Sequence, residues 1–274
     1  MTATRINEQQ LAKAFDRNLA TLDSRLAEFI KSGDSAATSA LRKGARRLQA
    51  TYTVLPKKVR KDNKTRRYIA ASRRLSKAVG KVRDIDTIAS WSMQLRDGKD
   101  QRSFISDLER LRAINVRIAM REAKELGKAK RPSVELPDLE GFDVGRRSRK
   151  IERRLSKRVD KEFEEFLATQ EVDVMHALRK DSKRLRHLLE LVSGDSASQF
   201  LQRLRSVQDD LGAIRDHDLV IDYLRSRVRL TSTRSLIREE IAKRHARLED
   251  FVTKNRGQGH LVPSTAKRAV AVAS

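Results

Sequence analysis

The sequence predicts an all-α protein built from two tandem four-helix bundles, and three observations support this fold class. Apolar residues recur at intervals of three and four over long stretches, without the alternation of β-branched residues that is typical of strands. The chain has only four prolines, and residues 138–262 contain none, so long helices can continue without interruption. Two short motifs also occur twice in the same order, which indicates a tandem duplication.

Each copy of the duplication divides into four helices. The breaks around Gly33, Gly98 and Gly194 are short, which favours antiparallel neighbours in a bundle. The predicted helices cover residues 5–31, 35–56, 61–97 and 100–128 in the first copy, and 146–169, 171–193, 196–229 and 232–255 in the second.

The stretch 130–145 interrupts the helical period, contains Pro132 and Pro137, and is locally acidic, so it is predicted to link the two copies. The resulting domain prediction is a first four-helix half over 1–129, a linker over 130–145, a second four-helix half over 146–255 and a flexible tail over 256–274.

The chain is strongly basic. It has 61 Lys and Arg residues against 37 Asp and Glu, a formal net charge of +24, and 40 of the 61 cations are Arg. The guanidinium group forms planar, bidentate contacts with phosphate, so this bias favours a phosphate-bearing partner. Adaptation to high temperature would explain 36% charged residues but not the imbalance between the two signs.

Composition also argues against several function classes. The absence of cysteine excludes disulfides, iron–sulfur sites and thiol nucleophiles. No apolar run approaches a membrane span and the amino terminus lacks an apolar signal segment, so a cytoplasmic protein without membrane contact is expected. Aromatic residues make up only 4% of the chain, which disfavours recognition of single-stranded nucleic acid by stacking.

The first repeated motif combines a core-facing stripe with a row of cations. Residues 39–48 are SALRKGARRL, and residues 176–185 are HALRKDSKRL. On a helix, Leu178, Leu185 and Leu189 share one face, and the cations of a separate face follow each other at about one turn, ~5.4 Å. The face of the second copy is formed by His176, Arg179, Lys183 and Arg186, widened by Lys180 and His187, and that of the first copy by Arg42, Lys43, Arg46 and Arg47.

Two donors of this face are missing from the first copy, where Ser39 and Gln49 replace His176 and Arg186. The first copy is therefore expected to bind more weakly. A single charged helix face is usually just solvated, but the recurrence of the same row favours a binding role.

The second repeated motif is VGKVRDID at 79–86 and LGAIRDHD at 211–218. Glycine within a helix costs about 1 kcal/mol relative to alanine, so Gly80 and Gly212 are predicted to permit close helix contact. Arg83 and Asp86 lie three residues apart and share a face, as do Arg215 and Asp218 in the second copy. These pairs are either structural ion pairs, or the aspartates hold the arginines extended toward a ligand.

The ordered pair of motifs, present twice in a basic chain without cysteine, resembles the CHAD domain, the conserved histidine α-helical domain. The resemblance covers about residues 5–255. It implies two four-helix bundles related by an internal pseudo-two-fold axis, with a basic cavity between them that binds inorganic polyphosphate, and it implies that such proteins can associate with polyphosphate granules.

The resemblance also implies a set of binding residues. Ser39 departs from the family's histidines, which weakens any symmetric metal site or proton-coupled mechanism. The implied polyphosphate contacts are Arg42, Lys43, Arg46, Arg47 and Arg83 in the first copy, and His176, Arg179, Lys180, Lys183, Arg186 and Arg215 in the second.

Three other function classes remain as alternatives: an enzyme, a nucleic-acid-binding protein, and a structural adaptor that coats granules with the polyanion as tether and another protein as client. An enzyme of phosphoryl transfer would need a metal held by carboxylates or a phosphate-binding loop, and the sequence has no such loop. The candidate carboxylates, Asp84, Asp86, Asp216 and Asp218, each lie near an arginine, which favours salt bridges over a metal site. No catalytic residue, cofactor or metal site is therefore predicted. Non-specific binding of nucleic acid is the main alternative, because phosphate contacts provide most of the affinity for any polyanion.

Overall fold

The computed structural model describes residues 6–96, 98–193, 199–227, 233–257 and 259–262, and every regular element in these ranges is a helix. This confirms the all-α fold class. The helices are α1 (Glu8–Ser32), α2 (Ser35–Val54), α3 (Lys57–Lys61), α4 (Asn63–Ser92), α5 (Lys99–Lys128), α6 (Leu136–Leu139), α7 (Val144–Thr169), α8 (Val172–Ser193), α9 (Gln199–Arg225) and α10 (Thr233–Asn255).

The eight long helices predicted from periodicity are confirmed to within a few residues at most ends. The predicted ends at 5, 97, 196, 229 and 232 lie outside the described residues. Periodicity does not predict α3 and α6, because four or five residues are too few to show a helical period. None of the helices in the described ranges is long and apolar enough to cross a membrane.

The chain forms two compact units. The amino-terminal unit comprises Glu8–Phe142 and Leu219–Ile237, and the carboxy-terminal unit comprises Met1–Asn7, Asp143–Asp218 and Arg238–Ser274. The adjoining ends of α9 and α10 thus belong to the amino-terminal unit, as does most of the predicted linker.

The amino-terminal unit is organised around α1, α2, α4 and α5. Its helix α1 buries one face at three- and four-residue intervals, including Phe15, Leu22 and Phe29. The turn into α2 uses Gly33 at φ +58, a left-handed conformation that glycine adopts without strain, and the Asp34 carboxylate then accepts a hydrogen bond from the backbone N–H of Ala37 (2.7 Å).

The ends of α9 and α10 complete an apolar cluster in this unit. Phe104 and Leu108 of α5 pack with Tyr223 and Leu224 of α9, and the Phe104 and Tyr223 rings meet edge to face at 5.9 Å. The Tyr223 hydroxyl donates a hydrogen bond to Asp107, and Asp107 also pairs with Arg227, two residues after α9. The cluster explains why this part of the second copy belongs to the amino-terminal unit.

The carboxy-terminal unit contains α7, α8, the part of α9 up to Asp218 and the part of α10 from Arg238 onward. The rings of Phe163 and Phe166 of α7 pack against the ring of Phe251 of α10, with centroid distances of 6.3 and 5.6 Å. Asp181 on α8, with 6% of its side chain exposed, binds Arg158 of α7 and Arg184 of its own helix. The pairing compensates the cost of burying this carboxylate.

The packed chain continues beyond α10. The sequence analysis treats 256–274 as a flexible tail, but Leu261 and Val262 are buried, and the Val262 N–H donates to Asp160 of α7 (2.7 Å). Residues 263–274 lie outside the described part of the chain.

Candidate anion-binding site

The structure divides the cations of the first motif into two kinds. Arg42 and Arg46 of α2 are half-buried, whereas Lys43 and Arg47 are exposed. The second copy repeats this division on α8. Its half-buried members are Arg179 and Lys183, and its exposed members are Lys180 and Arg184. A half-buried cation is partly shielded from water, so its attraction for an anion is stronger than that of a fully solvated one.

The leucines of the same motifs face the core as predicted. Leu41 and Leu48 of α2 and Leu178 and Leu185 of α8 are completely buried. The helical period of the sequence therefore predicts which face of α2 and of α8 enters the core.

The two motifs meet inside each unit. A methyl group placed on Gly80 of α4 would lie 3.9 Å from the nearest guanidinium nitrogen of Arg42, and one placed on Gly212 of α9 would lie 3.8 Å from that of Arg179. The sequence analysis expects these glycines to permit close helix contact. In both copies the group nearest to the missing Cβ is thus an arginine side chain, at ordinary contact distance from where an alanine methyl would lie.

The aspartates of the second motif pair with arginines that the sequence analysis did not identify. Asp86 accepts a hydrogen bond from Arg112 Nε of α5 (2.7 Å), and Asp218 accepts one from Arg244 Nε of α10 (2.6 Å). Both pairs span 26 residues, and Arg112 also donates to the carbonyl of Gly33 (2.8 Å). These arginines connect neighbouring helices.

In each of these carboxylates, one oxygen accepts the hydrogen bond from the arginine and the other accepts none from the described residues. Within the described chain, the Oδ2 atoms of Asp86 and Asp218 are buried without a hydrogen-bond partner. The same arrangement in both copies indicates a shared structural feature of the second motif. Arg83 and Arg215, one turn after the glycines, are half-buried and have interaction partners in the protein.

His176 lies within electrostatic range of the second motif. Partial burial lowers the pKa of His176 below its usual value, the nearby Arg215 guanidinium acts in the same direction, and Asp218 opposes them. The structure therefore brings His176, Arg179 and Arg215 together in the carboxy-terminal unit. The first copy has the half-buried Ser39 at the corresponding position.

Arg186 and His187 contact an acidic neighbour. Arg186 Nε lies 3.5 Å from Glu190 Oε1, Arg205 Nη2 lies 3.4 Å from the same oxygen, and His187 Nδ1 lies 3.3 Å from Glu190 Oε2. The hydrogen bond with His187 lowers the pKa of Glu190, and the two arginines act in the same direction. His187 is only 10% exposed, so its ring contributes to this cluster and does not widen the exposed cationic face.

Metal-ligating side chains do not cluster in the described ranges. No group of three or more His, Asp or Glu residues there is arranged to hold a metal ion.

Comparisons with known proteins identify the family and a shared fold. The family model described as "CHAD domain" matches residues 13–225, so the chain belongs to the CHAD domain family. The crystal structure of the CHAD domain from the plant Ricinus communis matches with a TM-score of 0.61 and 17% sequence identity, over 100% of this chain and 94% of that one. This likeness shows a shared fold. No curated protein matches the chain.

The family assignment predicted from the motifs is thereby confirmed. The two-bundle arrangement, the domain boundaries and the eleven binding residues stay predictions.

Proposed function

We propose that this CHAD-domain protein binds inorganic polyphosphate, without catalysing a reaction, through the cations of its two repeated motifs. The observation that supports this most strongly is the repeated contact between an arginine and a glycine, Arg42 with Gly80 and Arg179 with Gly212. Two copies of one arrangement, each with half-buried cations beside it, suit a ligand that is itself a repeating anion.

The chemistry of the side chains fits a chain of phosphates. Arginine can donate two parallel hydrogen bonds to one phosphate, and lysine adds a mobile point charge. Cations of the row follow at about one helical turn, ~5.4 Å, so several phosphates spaced along an extended chain can meet a donor. A ligand without bases needs no aromatic surface.

The half-burial of the row favours a thin ligand over a wide one. A polyphosphate chain can approach Arg179 and Lys183 between neighbouring side chains, whereas a nucleic-acid duplex presents its phosphates on a broad cylinder. Association with polyphosphate granules follows from the same hypothesis, and a cytoplasmic location is proposed with it.

The proposal is tested by direct binding of labelled long-chain polyphosphate at near-physiological salt. The double variant Arg179→Ala/Lys183→Ala should lower the affinity by about tenfold or more, because it removes two charge-assisted contacts. The matched control Arg153→Ala/Lys157→Ala also removes one Arg and one Lys from the same unit, but from exposed positions on α7. Equal losses in the two variants would contradict a specific role for the motif.

A further inference from the structure

Helix α7 carries a surface that neither motif includes. All eight exposed residues between Gly145 and Lys161 are Arg or Lys. Two of them have acidic neighbours, since Arg158 pairs with Asp181 and Arg149 lies beside the helix start at Asp143. The other six have no ion-pair partner within the described chain, and we call them the α7 row: Arg146, Lys150, Arg153, Arg154, Lys157 and Lys161.

The α7 row is a continuous stripe. At about 100° and ~1.5 Å per residue, its six side chains fall within about 100° of arc and extend over about 22 Å of helix. The opposite side of the helix is buried, including Ile151, Leu155 and Val159. The core therefore fixes the row so that it faces solvent, and six like charges on one short surface repel each other until an anion neutralises them.

The first copy of the repeat shows that the fold does not require these charges. A shift of 137 residues, which relates Arg42 to Arg179, also relates the buried Leu22, Leu26 and Phe29 of α1 to Val159, Phe163 and Phe166 of α7. The α1 residues that correspond to the α7 row are exposed too, but they carry two cations and one acid: Gln9, Lys13, Asp16, Arg17, Ala20 and Ser24. The net charge of the stripe is thus +1 (two minus one) in α1 and +6 in α7.

We propose that the α7 row is a docking surface for double-stranded nucleic acid, recognised through its phosphate backbone. A straight row of exposed cations can track one strand of a duplex, and such contacts are independent of base sequence. All six side chains of the α7 row are exposed, so a wide ligand can reach them more readily than the half-buried cations of α2 and α8.

The same surface fits other polyanions less well. None of the exposed large apolar residues of the described chain lies on α7, so the helix lacks the side chains that would insert into a lipid interface. It presents no exposed aromatic ring on which single-stranded bases could stack. Binding of duplex phosphates requires only exposed cations, which the α7 row provides.

The test measures binding of the full chain to a labelled duplex DNA of arbitrary sequence over a series of salt concentrations. One variant gives α7 the residues of α1, namely Arg146→Gln, Arg153→Asp, Lys157→Ala and Lys161→Ser. Its duplex affinity should fall by about tenfold or more, and the slope of log affinity against log salt should become shallower by about three to four, because four cations are lost. Because α1 already folds with these residues, the variant should keep its helicity.

A matched pair of smaller variants separates this surface from the motif site. Arg153→Ala/Lys157→Ala should weaken duplex binding and leave polyphosphate binding at near-physiological salt nearly unchanged, and Arg179→Ala/Lys183→Ala should do the reverse. Duplex affinity that is unchanged in the α7 variants would overturn the proposal. So would equal loss of duplex binding in both variants, or an α7-dependent attachment to phosphatidylserine vesicles without any effect on the duplex.

Discussion

The guanidinium group of Arg179 rests against Gly212, with Nη1 3.8 Å from the position that a Cβ atom would occupy. The contact joins the two repeated motifs of the second copy, since Arg179 lies on α8 and Gly212 on α9. Arg42 and Gly80 form the same contact in the first copy. A methyl group fits beside the arginine at these positions, whereas a larger side chain would meet the guanidinium group.

Substitution at Gly212 should separate helix propensity from binding. Gly212→Ala adds a methyl group at ordinary contact distance and should raise the free energy of unfolding by up to about 1 kcal/mol while binding is retained. Gly212→Leu fills the space of the Arg179 guanidinium and should lower polyphosphate affinity by about tenfold, the equivalent of one charge-assisted contact. Urea denaturation and binding titrations measure both quantities, and tight binding by Gly212→Leu would show that the position of Arg179 is not critical.

The lowered pKa of His176 predicts a pH dependence of both stability and binding. In the folded protein His176 is less readily protonated than in the unfolded chain, so it makes stability decrease as pH falls below its usual pKa of about 6.5. A bound polyanion raises the pKa of His176, so binding takes up protons and polyphosphate affinity should increase from about pH 8 to about pH 6.

The variant His176→Ser, which copies Ser39 of the first motif, should show a weaker pH dependence of affinity than the unmodified chain. Comparing the two proteins over the same pH range removes the contribution of the ligand's own titration. An unchanged pH profile would show that His176 does not contact the bound chain.

Comparison of the two copies of the repeat predicts that the buried pair His217–Glu240 can be replaced by apolar residues. His217 Nδ1 lies 2.7 Å from Glu240, whose side chain is 2% exposed. A shift of 132 residues, which relates Gly80 to Gly212, places Ile85 and Leu108 at these two positions in the first copy, where both belong to an apolar cluster.

The double variant His217→Ile/Glu240→Leu should therefore be within about 1 kcal/mol of the unmodified protein, or more stable. His217→Ile alone leaves the buried Glu240 without its contact to His217 and should cost about 1–3 kcal/mol. Chemical denaturation checks the order, and a double variant less stable than the single one would contradict this interpretation.

The pair Arg244–Asp218 should contribute strongly to stability. Both side chains are nearly buried (13% and 12% exposed), so Arg244→Ala leaves a buried carboxylate without its partner and should cost about 3–5 kcal/mol. Arg110→Ala is the control: Arg110 pairs with Asp107 but is 70% exposed, and its loss should cost no more than about 1 kcal/mol. Similar unfolding free energies for the two variants would contradict a structural role for Arg244.

The helical periods and the duplicated motifs were sufficient to predict the fold class, the family, and the sides of α2 and α8 on which Leu41 and Leu178 are buried. Leucine spacing fixes which face enters the core, and the remaining positions follow from helical geometry. The same geometry places the cations of each motif on a separate face, but it does not indicate which of them are half-buried.

Contacts between distant helices could not be predicted in this way. Arg112 and Arg244 lie 26 residues after their aspartates and outside both motifs, where only the 132-residue shift relates them. The sequence could indicate that Gly212 leaves space but not that a side chain fills it. The cations of α7 belong to no repeated motif, and only their exposure and the different charge of the corresponding positions in α1 distinguish them.

The most direct test of the central claim is a competition experiment at near-physiological salt. Labelled long-chain polyphosphate is bound to the full chain and challenged with duplex DNA or tripolyphosphate at equal phosphate concentration. The account predicts that neither competitor displaces long-chain polyphosphate efficiently, because the half-buried cations of two motifs engage one extended chain. Equal displacement by duplex DNA would contradict it and would identify the protein as a general binder of nucleic acid.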